Sequence, residues 1–196
     1  MIVDGFKQIS QKAAIEGIVL LKNTEGILPI KNNEMVSLFG RSQIDYYKSG
    51  TGSGGAVNVL YSVNALEGLR NEKVLINEEL VSIYKEYIKS SPFDNGGGGW
   101  AQEPWFQKEL MLTKDMVESA AKKSKKAIIF IGRTAGEDKD NVLEQGSYYL
   151  TDIEKNMIEK VSNSFKDVVI VFNVGNIIDM SYIETLGDKI KSIVYA

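Results

Sequence analysis

The sequence contains neither cysteine nor histidine among its 196 residues. Without cysteine there can be no disulfides, thiol nucleophiles or cysteine-ligated zinc sites. Without histidine there can be no Ser-His-Asp triad, no imidazole base and no imidazole metal ligand. Any catalytic chemistry must therefore come from carboxylates, lysine, tyrosine, serine or backbone groups.

Charge and hydropathy argue against two classes of partner. The net charge is −3, so the sequence predicts no affinity for nucleic acid or for an anionic membrane. The densest basic cluster, Lys122–Lys126, follows a helical pattern and is typical of a solvated helix end, where cations complement the helix dipole. No apolar run has transmembrane length, and Met1 does not open a signal peptide. We therefore expect a cytoplasmic location.

Four apolar runs are typical of buried β-strands, and helical patterns separate them. The strands are predicted at 35–40, 127–132, 168–173 and 190–196, and the helices at 5–21, 62–69, 78–88, 113–123, 151–162 and 177–186. Continuous apolar strands indicate a parallel sheet that is covered on both faces. With right-handed crossovers, the sequence predicts an α/β fold with a doubly wound, mostly parallel sheet, helices on both faces and flavodoxin-like layering.

The domain organisation predicted is a single α/β-sandwich domain over 1–196, a fragment of a larger multidomain enzyme. The chain ends on a strand with no covering helix behind it, which predicts truncation at the C-terminal end. Residues 90–104 contain Pro92 and four consecutive glycines, and we expect this insertion to be mobile because such a segment cannot repay its ordering entropy.

The segment Gly50–Gly55, the glycine loop, formally matches the G-x-G-x-x-G pattern. In a dinucleotide-binding fold this pattern follows a strand at once and opens a helix, whereas Gly50 lies well beyond the predicted strand. A flexible surface loop is the second interpretation. The third is a loop that closes over a ligand, in which Gly52 permits close approach and Ser53 offers a hydroxyl.

The predicted strand 127–132 delivers a Gly136-Glu137 pair into a charged loop. Ligands meet side chains at the carboxyl ends of strands in α/β sheets, so Glu137 is a candidate acid or base. A solvated loop residue is the alternative. The carboxylates nearby do not follow the EF-hand pattern, and we expect no metal site and no cofactor.

Five segments in order resemble the second domain of glycoside hydrolase family 3. They are residues 14–30, the glycine-serine loop 50–54, Arg133–Asp140, which is similar to the family's R-x-x-G-E-G-x-D segment, and residues 146–154 and 173–180. The resemblance covers essentially the whole chain. It implies an (α/β)6-sandwich of the C-terminal type from a retaining, β-glucosidase-like hydrolase that acts on oligosaccharides or aryl glycosides.

The resemblance also implies how a catalytic site is shared. A separate (β/α)8-like barrel domain would carry the aspartate nucleophile, and Glu137 would be the general acid/base. Ser53 and Gly52 would bind the sugar from the opposite wall. In some members of the family the barrel comes before this domain, and in others it comes after it. The nucleophile segment is absent from this sequence, so the isolated chain is expected to be inactive.

Two positions depart from the family pattern. Asp138 stands where the family usually has glycine, and Asn141 where it usually has a basic residue. A carboxylate beside Glu137 is expected to raise its pKa, and the alternative is that Asp138 points to solvent. Two other functions stay open, a non-catalytic carbohydrate-binding module and a nucleotide-binding flavodoxin-like domain.

Overall fold

The computed structural model describes residues 5–55 and 58–196, which contain six β-strands and six α-helices. The strands are β1 Val19–Asn23, β2 Met35–Phe39, β3 Leu75–Ile76, β4 Lys126–Arg133, β5 Asp167–Val174 and β6 Ser192–Tyr195. The helices are α1 Phe6–Gly17, α2 Ala65–Asn71, α3 Glu78–Ser90, α4 Lys114–Lys123, α5 Asp152–Ser164 and α6 Ser181–Thr185. Residues 1–4, where the sequence predicts no signal peptide, and residues 56–57 lie outside the described part.

All six strands form one sheet in the order β1-β6-β5-β4-β2-β3. Every neighbouring pair is parallel except β1 and β6, which are antiparallel. The longest pairing joins β4 and β5 from Lys126 opposite Asp167 to Arg133 opposite Val174. The predicted α/β class and mostly parallel sheet are confirmed, and the carboxyl ends of β2, β4 and β5 share one edge.

Strand β1 was not predicted, because the sequence pattern continued the first helix to Leu21. The helix ends at Gly17, and the apolar run after it forms an edge strand. Glycine is a poor residue for a helix interior, and the β-branched pair Ile18-Val19 favours extended backbone. Because the preceding residues follow helical spacing, the sequence pattern does not show where α1 ends and β1 begins.

The apolar core has two parts, one on each face of the sheet. On one face, α3, α4 and α5 pack against the strands through residues such as Leu80, Val117 and Ile158. On the opposite face, Leu66 of α2 and Ile27 cover the sheet. Helices on both faces are therefore confirmed. Helix α1 contributes no buried side chain.

Two predicted helix starts are confirmed by their caps. The Thr113 hydroxyl accepts a hydrogen bond from the backbone N–H of Met116 at 3.2 Å. At α5, Thr151 and Glu154 form a reciprocal capping box, in which the Thr151 N–H donates to Glu154 Oε2 at 2.8 Å. Such caps satisfy backbone donors that a helix start leaves free. They fix the start of α5 beside the end of β4.

Lys126 corrects the interpretation of the basic cluster as a solvated helix end. It is the first residue of β4 and only 2% exposed. Its ammonium group donates to the Ile27 carbonyl and to Glu34 at 2.8 Å. A buried charge needs such partners, because desolvation alone would strongly disfavour it. The remaining helical part of the cluster ends at Lys123.

None of the helices in residues 5–55 and 58–196 is long and apolar enough to span a membrane.

Candidate functional site

The glycine loop and the Gly-Glu loop, residues 134–141, join at the carboxyl edge of the sheet. Thr51 makes two of the connecting bonds: its N–H donates to the Ala135 carbonyl at 2.7 Å, and its hydroxyl donates to the Glu137 carbonyl at 3.1 Å. Thr51 also pairs with Gly136 in a parallel β-bridge. Because β4 is buried along its whole length, it gives this loop pair a rigid base.

The carboxylate of Glu137 lies against the tip of the glycine loop. Ser53 donates twice to the same oxygen, Glu137 Oε2, from its backbone N–H at 3.0 Å and from its hydroxyl at 2.8 Å. Both residues are exposed. The structure thus brings together the three predicted site residues, Glu137, Ser53 and Gly52, although Ser53 and Glu137 are 84 positions apart in the sequence.

Two glycines permit this close approach. A Cβ on Gly52 would lie 2.4 Å from the Cβ of Glu137 and 2.8 Å from its Oε2. A Cβ on Gly136 would lie 2.6 Å from the backbone of Thr51. Both residues also have positive φ, 79° at Gly52 and 141° at Gly136, which side chains disfavour. In this structure the two glycines therefore allow the glycine loop and the Gly-Glu loop to pack against each other.

The two hydrogen bonds from Ser53, the backbone one first, lower the pKa of the Glu137 carboxyl below its usual value. Donors aimed at a carboxylate favour its ionised form. The expectation that Asp138 raises this pKa is wrong. Asp138 accepts a hydrogen bond from the indole N–H of Trp100 at 2.9 Å instead. The two donors therefore favour the ionised form of Glu137, the form that acts as a base.

The 90–104 insertion, together with Trp105 that follows it, contacts the Gly-Glu loop. Besides the bond from Trp100 to Asp138, the Lys139 ammonium lies 4.6 Å from the centre of the Trp105 ring. It also donates to the Ala101 carbonyl at 3.3 Å. Cation–π contact of this kind is weakly attractive at an exposed site. The mobility of the insertion stays a prediction.

A buried ion pair supports the Gly-Glu loop from below. Arg133, the last residue of β4, donates two hydrogen bonds to the Glu154 carboxylate, at 2.7 and 2.6 Å. Both side chains are almost fully buried. A third bond runs from Arg133 to the Ser147 carbonyl at 3.3 Å. The bidentate geometry ties the end of β4 to the start of α5.

Glu109 is a second buried acid and lies in the segment that follows the 90–104 insertion. Burial raises the pKa of Glu109 to about 7, although backbone N–H groups of Arg41 and Leu110 donate to it. Arg41 and Glu109 also line a cavity of about 660 Å³. Neither Glu137 nor Ser53 lines this cavity. This cavity is therefore separate from the candidate site, whose residues Glu137 and Ser53 are exposed.

Two alternatives find no support in the geometry. The glycine loop forms a single 3₁₀ turn at Gly52–Gly54, and the next α-helix begins only at Ala65. The loop therefore does not place a helix N-terminus at a phosphate, as the nucleotide-binding interpretation requires. Within the described residues, no cluster of three or more acidic side chains could hold a metal ion.

Several contributors to the site were missed from the sequence. Thr51 and the pair of Asp138 with Trp100 join segments that are distant in the chain, so local patterns carry no sign of them. The pairing of Arg133 with Glu154 had a partial signal. Thr151 followed three positions later by Glu154 is typical of a capping box, and an arginine that ends a buried strand needs a counter-charge.

The comparison with protein families gives one decisive match. The model described as glycosyl hydrolase family 3 C-terminal domain matches residues 18–196. The chain belongs to this family. Strand β4, the glycine loop and the Gly-Glu loop therefore lie within a glycosyl hydrolase family 3 C-terminal domain, as the five motifs indicated.

Similar proteins carry β-glucosidase names. The beta-glucosidase of Ruminococcus albus is 47% identical over 187 residues, which cover 94% of this chain and 20% of that protein. A solved beta-glucosidase of Paenibacillus barengoltzii superposes with a TM-score of 0.95 at 52% identity, covering 100% of this chain and 21% of that one. Beta-glucosidase 3B of Thermotoga neapolitana, solved in complex with glucose, superposes with a TM-score of 0.84 at 30% identity, covering 98% of this chain and 27% of that one. The family 3 domain described here thus spans about a fifth to a quarter of these relatives.

Proposed function

We propose that this domain supplies the general acid/base, Glu137, of a retaining β-glucosidase-like hydrolase. The observation that carries the proposal is the placement of Glu137 at the carboxyl end of a buried central strand, with its side chain held by a facing loop. The names of the similar proteins support the substrate class, a β-glucoside. Recognition of the rest of the substrate, a short oligosaccharide or an aryl group beyond the first sugar, is assigned to the partner domain.

The proposed mechanism needs two carboxylates with separate tasks. A protonated Glu137 gives its proton to the glycosidic oxygen while an aspartate from another domain attacks the sugar carbon. The ionised Glu137 then takes a proton from water as the water oxygen displaces the aspartate. A retaining site of this kind places the two carboxyl groups about 5–5.5 Å apart. The second domain must therefore dock close to the Gly-Glu loop.

Exposed apolar side chains support a domain partner. They belong to α1, to β1, to Ile18 between these two elements and to the segment before α2, and each is at least 45% exposed: Phe6, Ile9, Ile15, Ile18, Val19, Leu20, Leu21, Leu60 and Tyr61. Lys7 of α1 lies 5.7 Å from the centre of the Tyr61 ring, which joins the two parts. Large apolar patches on a protein surface mark interaction sites. The proposed partner is the (β/α)8-like barrel domain.

The test compares the 196-residue chain with a longer protein that also contains the barrel. We expect the longer protein to hydrolyse an aryl β-glucoside and the isolated chain to give only the background rate, because half of the carboxyl pair is missing. Turnover is measured by release of the aryl alcohol, and glucoside binding to the chain by calorimetry. Turnover by the isolated chain would contradict the shared site. Tight glucoside binding without turnover in either protein would favour a carbohydrate-binding module.

A further inference from the structure

The two oxygens of the Glu137 carboxylate have different surroundings. Oε2 accepts both hydrogen bonds from Ser53, whereas no hydrogen bond from the described residues reaches Oε1. The position of Ser53 is fixed by its neighbour, because Gly52 packs directly against the Glu137 side chain. Thr51 holds the same loop on the Glu137 backbone. The two carboxylate oxygens therefore differ: Oε2 is hydrogen-bonded to Ser53, and Oε1 accepts no hydrogen bond from the described residues.

The Ser53 hydroxyl has one hydrogen and two acceptor lone pairs. Its hydrogen points to Glu137, so the lone pairs remain for a second donor. Ser53 is exposed, which leaves these lone pairs open to a ligand. A sugar hydroxyl can donate to Ser53 while Ser53 donates to Glu137. Chains of hydrogen bonds of this kind polarise one another and strengthen the bond to the carboxylate.

We propose that Ser53 is a positioning residue that links a hydroxyl of the bound sugar to Oε2 of Glu137 and leaves Oε1 as the oxygen that exchanges protons. This inference rests on the proposed function of Glu137. In the first step, the proton on Oε1 moves to the glycosidic oxygen as the bond from that oxygen to the sugar carbon breaks. In the second step, a water proton moves to Oε1 as the water oxygen bonds to the sugar carbon and the aspartate leaves.

The charged groups around Glu137 are few. Its own loop carries Asp138, which is bonded to Trp100, and Lys139, which lies over Trp105. Asp140 follows them and is exposed. The glycine loop has no charged residue. On the two segments that face Glu137, the charged residues closest in sequence to the contacting residues are Lys48, just before the glycine loop, and Glu103 in the insertion. Removal of the Ser53 hydroxyl should therefore change the pKa of Glu137 more than removal of any of these charged groups.

The first test measures the Glu137 carboxyl in the 196-residue chain by carbon-detected NMR titration. In Ser53→Ala the pKa of Glu137 should rise measurably, because a donor to the ionised form is lost. Ser53→Thr keeps a hydroxyl and should restore most of the shift. Ser49→Ala is the matched control, since the Ser49 hydroxyl bonds only to the Gly55 carbonyl of the same loop. An unchanged pKa in Ser53→Ala would overturn the link.

The second test measures the pH dependence of kcat/KM in the longer, barrel-containing protein. Ser53→Ala should move the alkaline limb to higher pH, since that limb reports the acid form of Glu137. A raised KM with the limb unmoved would reduce Ser53 to a sugar contact and overturn the proposal. The NMR titration measures the Glu137 pKa without depending on catalytic activity. A shifted Glu137 pKa in a protein whose activity survives Glu137→Ala would contradict the proposed function instead.

Discussion

Glu137→Ala in the barrel-containing enzyme should lower kcat/KM for alkyl β-glucosides by about 10²–10⁴-fold, the usual contribution of a general acid/base. A dinitrophenyl β-glucoside should lose little in this first step, because its leaving group departs without a proton. Deglycosylation should also slow, since no base activates water. Added azide should then raise turnover and give the β-glucosyl azide, which product analysis by NMR detects.

The matched control for this prediction is Glu144→Gln. Glu144 is an exposed acid a few residues along the chain, and its side chain makes no hydrogen bond within the described residues. Its replacement should leave both substrates unaffected. Equal losses for the alkyl and dinitrophenyl glucosides in Glu137→Ala, with no azide product, would remove Glu137 from the acid/base role.

Arg133→Met should lower the free energy of unfolding by about 3–5 kcal/mol, because it leaves the Glu154 carboxylate buried without its partner. The double variant Arg133→Met with Glu154→Leu should recover part of this loss, since an apolar pair avoids the desolvation cost although it removes the acceptor of the Thr151 N–H at the start of α5. Urea denaturation followed by circular dichroism measures both. The end of β4, and with it Glu137, depends on this pair.

The control for this second prediction is an exposed ion pair. Arg70 and Glu78 contact each other at 2.5 Å, with side chains 37% and 59% exposed. Arg70→Met should cost less than about 1 kcal/mol, because exposed pairs are screened by solvent. Similar losses for Arg70→Met and Arg133→Met, or a double variant no more stable than Arg133→Met alone, would show that burial of the pair does not decide its contribution.

The central strands were predictable because β2, β4 and β5 are buried on both faces and read as continuous apolar runs. Strand β1 was not, since it lies at the edge of the sheet, is largely exposed and follows a helix without a break in hydropathy. Lys126 was also misjudged. Its partners, Ile27 and Glu34, are more than 90 positions away, and a basic cluster looks solvated without them.

The candidate site was predictable in its residues and not in its contacts. Glu137 and Ser53 followed from the order of five motifs, whereas composition and strand pattern alone left Glu137 a loop carboxylate with a solvated alternative. The bond between them depends on the turn at Gly52 and on Thr51, neither of which a linear pattern specifies. The wrong expectation for Asp138 has the same origin, because Trp100 comes from a segment 38 positions away.

The central claim is that Glu137 faces a nucleophile supplied by another domain. It is tested most directly by a crystal structure of the barrel-containing enzyme trapped with a 2-deoxy-2-fluoro-β-glucosyl fluoride. The account predicts an aspartate of the barrel bonded to the sugar, with the Glu137 carboxyl about 5–5.5 Å from that aspartate's carboxyl. A trapped sugar with Glu137 well beyond this separation, and another carboxylate in its place, would contradict the account.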